Sequence, residues 1–101
     1  MYFITCFQKY EQTKYGVPDI GDSRTFGYYP HRDVAIDMVE KNNCDIQECC
    51  YRYAVIEKIA EGLYSPAEER IFFEWNEDKK QFELIEPFID YCGNYAFGWV
   101  I

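Results

Sequence analysis

The 101-residue sequence predicts an α+β domain, a mainly antiparallel sheet of about five strands with one main helix packed on it. Three observations carry that expectation. Short β-favouring runs recur at residues 2–8, 24–28, 51–60, 71–75 and 81–86, while helical periodicity is confined to residues 31–42. The link Asn76-Glu77-Asp78-Lys79-Lys80 between the last two runs is short enough for a hairpin. The length leaves room for one core, so residues 1–101 are read as a single domain.

Each element follows from local chemistry. Residues 2–8 (YFITCFQ) are continuously apolar and suit a strand buried on both faces. Residues 9–22 turn polar, with Gly16-Val17-Pro18-Asp19 and Gly21-Asp22 as turn signals, so a long loop follows. RTFGY at 24–28 is a second strand that Pro30 ends, and Pro suits the first turn of a helix. In the helix at 31–42, Val34, Ala35, Met38 and Val39 share one face, Asp33 favours the first turn and Lys41 the last. Asp45-Ile46-Gln47-Glu48 carries a weak capping pattern for a further helical turn.

YRYAVIEKIA at 51–60 is the second strand apolar on both faces, and Glu61-Gly62 and Ser65-Pro66 break it. In the hairpin, Ile71, Phe73 and Trp75 share a face of one arm, and Phe82 and Leu84 share a face of the other. NYAFGWVI offers a last strand. Phe3, Phe7, Phe26, Phe72, Phe73 and Phe82 are expected in the core.

Composition narrows the function classes. The chain is 49% hydrophobic and 20% aromatic, which excludes a disordered polymer. No apolar run approaches the ~20 residues of a membrane span, and the N-terminus lacks the basic region and small-residue cleavage site of a signal peptide, so a cytoplasmic protein without a membrane partner is expected. Net charge is −8, and residues 61–90 alone hold nine acids against three bases. A polyanionic duplex is therefore a poor partner, whereas a basic protein surface is a suitable one.

Metal and catalytic chemistry find little support. The five cysteines form no CxxC pair, and the single His31 cannot complete a two-Cys, two-His zinc site, so no metal and no cofactor are expected. An odd cysteine count without an export signal points to free thiols, mostly buried as small apolar groups. A triad can be written from Ser23, His31 and Asp33, but one histidine at a helix start is a weak base candidate, and the expectation is a protein that is not an enzyme.

The segments MYFITCF, DSRTFGYY running into a helix, YRYAVIEKIAEGLY and the acidic hairpin resemble small uncharacterised proteins of gut Firmicutes and their phages. The likeness spans most of the chain and implies a mobile-element setting, in which small accessory proteins often antagonise host defence. It transfers no catalytic residue.

Binding is the class the residues themselves favour. Ten tyrosines, eight phenylalanines and two tryptophans exceed what one small core hides, and tyrosines at strand ends (Tyr28, Tyr29, Tyr51, Tyr64) suit an interface. Two partners compete. A nucleotide-type ligand would take its phosphates on Arg24, Arg32 and Arg52, with Tyr28 or Tyr29 stacked on the base and the helix start adding N–H donors. A host protein would instead receive the acidic hairpin through Glu68, Glu69, Trp75, Glu77, Asp78 and Phe88 on its basic surface. A homo-oligomer would serve either case.

Overall fold

A computed structural model describes residues 1–14, 17–88 and 93–100, the last two as backbone. The elements are β1 (Tyr2–Phe7), β2 (Ser23–Tyr29), α1 (Arg32–Glu40), a 3-10 turn (Asn43–Asp45), β3 (Tyr53–Ile59), β4 (Ala67–Asn76), β5 (Gln81–Ile85), β6 (Gly93–Asn94) and β7 (Trp99–Val100). The first five strands form one antiparallel sheet in the order β2-β1-β3-β4-β5, and β6 pairs with β7 in a separate ribbon. The expected α+β architecture is thus present, with no strand end shifted by more than four residues.

The apolar runs occupy the sheet's interior for the reason their composition suggests. β1 and β3 are each paired on both sides, and Ile4, Thr5, Cys6, Phe7 and Ala54, Val55, Ile56, Glu57 are buried. Alternation then sends Ile4, Cys6, Ala54, Ile56, Ile71 and Phe73 to one face and Phe7, Val55 and Phe72 to the other. Helix α1 covers the first face with Ala35 and Val39, both fully buried, and Ile36 and Met38 pack beside them. Val34, placed by periodicity on the buried face, is instead exposed.

The opposite face is not left to solvent. Residues 93–97 lie across it as a strap, and Tyr95 stacks on Phe7 at 5.4 Å and meets Phe72 edge-on at 5.9 Å. Phe88 closes the same cluster against Tyr10, with ring centroids 3.9 Å apart. The chain therefore has three layers and two cores. That arrangement buries more rings than the single core assumed from the sequence.

Three local expectations need correction. Residues 45–48 do not start a helix, because Cys44, Asp45, Glu48 and Cys49 all take left-handed backbone angles. The thiols are also not mostly buried: Cys6 is, but Cys44, Cys49 and Cys50 are exposed on this winding segment, while Cys92 lies outside the described residues. Tyr51 is buried in the α1-side core against Phe26, and is not a wet strand-end ring.

Candidate functional site

The strap is held by a buried ion pair. Glu57 and Arg70 are directly opposed across β3 and β4, so their side chains point to the same face of the sheet. Arg70 Nε donates to Glu57 Oε2 at 3.0 Å, with side chains only 6% and 0% exposed. The carboxylate also accepts the backbone N–H groups of Tyr95 and Ala96, each at 2.9 Å, while Arg70 Nη2 donates to the Gly93 carbonyl at 2.9 Å. Burial pushes the Glu57 carboxyl above the usual carboxylate range, against the Tyr95 and Ala96 amides and Arg70, which favour the charged form. Three donors converge on one anion, which is how a buried carboxylate can be accommodated.

At the Tyr2–Tyr29 end of the sheet, strap and loops enclose an open groove of about 1070 Å³. One wall is Leu63 and Tyr64 in the loop after β3, and the other is Phe97 with Phe3 and Tyr28 behind it. Phe3 meets Phe97 edge-on at 5.1 Å and Tyr28 at 5.2 Å, giving an aromatic floor. Five of the eight exposed large apolar residues among the described residues line this groove: Met1, Tyr28, Leu63 (92% exposed), Tyr64 and Phe97. Isolated surface apolar residues need no explanation, but their concentration in one concavity does. The lining includes the carboxylate of Glu61 and no lysine or arginine.

The residues expected to hold a nucleotide divide between the two ends of the sheet. Tyr28 and Tyr29 lie at the groove end of β2, and Arg32 follows at the start of α1, paired with Glu69 at 3.3 Å. Arg24 and Arg52 lie toward the other end, paired with Glu48 at 2.9 Å and Glu74 at 2.8 Å. Each of the three guanidiniums is thus engaged by one of the chain's own carboxylates. Ser23 opens β2 and His31 lies beyond its far end, about 20 Å along a strand of that length, so the written triad is not assembled. His31 occupies the helix N-cap position without a side-chain capping bond.

The residues expected to meet a protein partner are equally dispersed. Glu68 and Glu69 sit at the start of β4, near the groove end, whereas Trp75, Glu77 and Asp78 are at the hairpin tip. Trp75 packs on Phe82 and donates its indole N–H to Glu77 at 2.7 Å. Phe88 is a ring of the strap-side core.

Sequence reasoning missed Glu57, Arg70, Asn94, Leu63 and Phe97. The usable signals were a lone acid inside the apolar run YAVIEKI and an apolar Leu-Tyr pair inside the breaker segment EGLYSP. No protein-family model, curated protein or solved structure matches the chain. Among the described residues, no helix is long and apolar enough to cross a membrane, and no cluster of three His, Cys, Asp or Glu side chains could hold a metal ion.

Proposed function

We propose that this chain is a non-enzymatic binding protein that docks a protein partner in the groove walled by Leu63, Tyr64 and Phe97. The observation that carries the reading is the gathering of exposed apolar side chains in that one concavity. Charge selects the partner's chemistry. The chain carries −8 overall, and in the groove the Glu61 carboxylate is matched only by the Met1 ammonium, which donates to the Ile59 carbonyl at 3.3 Å, so the chain's overall charge favours an apolar anchor flanked by Lys or Arg. In the mobile-element setting that the family resemblance implies, such a segment belongs to a host defence effector whose basic surface ordinarily meets nucleic acid.

A nucleotide is the second reading. Tyr28 is 58% exposed and offers a ring face to a base, and surface ion pairs such as Arg32–Glu69 are weak enough for a phosphate to displace. The division of the three arginines between two ends of the sheet argues against it.

Fluorescence anisotropy separates the readings. The probes are synthetic peptides with a Leu-Phe pair between lysines, the same pair between aspartates, and labelled mono-, di- and cyclic nucleotides. Binding of the lysine-flanked peptide is expected, with loss of at least about tenfold in affinity in Leu63→Glu and Phe97→Glu. Nucleotide binding abolished by Arg24→Ala and untouched by Leu63→Glu would overturn the protein-partner reading. Sedimentation of the free chain covers the remaining occupant: a dimer broken by Leu63→Glu would assign the groove to a second copy.

A further inference from the structure

We infer that Asn94 is the positioning residue of the groove, joining its two walls through one buried amide. The inference rests on the docking reading above and names what sets the geometry of that site. Asn94 is fully buried and does not line the groove. Its Nδ2 donates to the Ser65 carbonyl at 2.9 Å, which ends the loop bearing Leu63 and Tyr64. Its Oδ1 accepts the Phe97 backbone N–H at 2.7 Å, which fixes the opposite wall.

A primary amide does both at once, with a donor and an acceptor on separate atoms. A carboxylate in this place could accept from Phe97 but could not donate to a carbonyl, and an alanine could do neither. β6 is two residues long, so the strap's position depends on side-chain bonds more than on a strand ladder. Those bonds are Glu57 to the Tyr95 and Ala96 amides, Arg70 to the Gly93 carbonyl, and Thr25 Oγ1 to the Ala96 carbonyl at 2.8 Å. They anchor the strap to the sheet, whereas Asn94 links the strap to the loop. Gly62, at a φ of +130°, makes the turn of that loop with a backbone angle that an L side chain rarely adopts.

The test is backbone ¹⁵N relaxation on the native chain and on Asn94→Ala, Asn94→Asp and Thr25→Val, with lysine-flanked peptide affinity measured on the same samples. Order parameters near 0.85 are expected for residues 61–65 and 95–97 in the native chain, the level of about rigid backbone. Asn94→Ala should lower both segments together and weaken the peptide by about tenfold, the worth of one buried hydrogen bond and its orphaned partners. Asn94→Asp should loosen 61–65 while Phe97 stays ordered. Thr25→Val should loosen 95–97 and leave 61–65 unchanged, and these two variants decide the matter if Asn94→Ala does not fold.

A loop at 61–65 that keeps its order in both Asn94 variants overturns the inference. So does unchanged peptide affinity in Asn94→Ala when Leu63→Glu abolishes binding. A native chain that binds no peptide sinks the docking reading, and the relaxation data still decide whether Asn94 joins the walls.

Discussion

The sharpest consequence of the structure concerns the Glu57–Arg70 pair. Replacing a buried ion pair by apolar side chains of similar volume is often neutral or stabilising, because two desolvation costs disappear together. Here the expectation is the opposite. In Glu57→Met a guanidinium 6% exposed loses its counter-ion, and the Tyr95 and Ala96 amides lose their acceptor, so the cost should reach about 5 kcal/mol. In Arg70→Met the carboxyl keeps its two amide donors and can take up a proton, so about 3 kcal/mol is expected at neutral pH. That loss should shrink on acidification, since removing the guanidinium lifts a proton affinity that burial has already raised. The double variant Glu57→Met/Arg70→Met restores charge balance but leaves two amides and the Gly93 carbonyl without partners. It should still cost about 3 kcal/mol, or release the strap. Urea unfolding measures both outcomes: a lower midpoint at constant slope for lost stability, and a smaller slope if the strap is already detached. A double variant with native midpoint and native slope would refute the claim that the pair exists to hold the strap.

Three further outcomes are expected. Thiol labelling of the folded chain read by mass spectrometry should modify Cys44, Cys49 and Cys50 and spare Cys6, which is fully buried and whose ionisation burial opposes; prompt modification of Cys6 would contradict the packing of β1. Phe72→Ala should cost about 3–5 kcal/mol in urea unfolding, since Phe72 is 1% exposed and meets both Phe88 and Tyr95, and a cost below about 1 kcal/mol would mean the strap-side core does not form. Acid should weaken the fold through Asp19, Glu77 and Glu83, held below their usual values by the Gly21 amide, by Lys80 and by Asn76 respectively. The folded state binds fewer protons there than the unfolded one, so their support is complete above the ordinary carboxylate values and lost as pH falls through the lowered ones. Glu57 acts in the reverse sense, and a urea midpoint that rises steadily from pH 7 to pH 3 would show that it dominates.

The sheet was legible because its signals are local. Continuous apolar runs mark β1 and β3 as strands with neighbours on both sides, and a five-residue polar link marks the β4–β5 hairpin. Helix α1 was legible from Ala35 and Val39, but its extent was overread: Lys41 is the C-cap, and Asn42 turns left-handed just beyond it. The strap was not legible. NYAFGWVI has strand composition, and nothing in it tells whether it pairs with the main sheet or crosses its face. That choice is made by tertiary partners, since Glu57 and Arg70 consume the backbone groups of residues 93–96 that a sixth strand would have needed.

The site failed for a related reason. Grouping Arg24, Tyr28, Tyr29 and Arg32 in one ligand site assumed that residues close in sequence are close in space, but an extended strand separates its ends by ~3.3 Å per residue. Arg24 and Tyr29 therefore fall near opposite ends of β2, and of the expected ligand residues Tyr28 alone is among those lining the groove. The groove instead gathers residues from four distant places: Met1 and Phe3, Tyr28 and Pro30, Ile59 to Ser65, and Phe97. The lone Glu inside YAVIEKI lies on a strand covered on both faces, so it must find donors, and the strap supplies them. The polar residue that breaks an apolar pattern thus led to the element that builds the site, while the arginines and tyrosines of residues 24–32 did not.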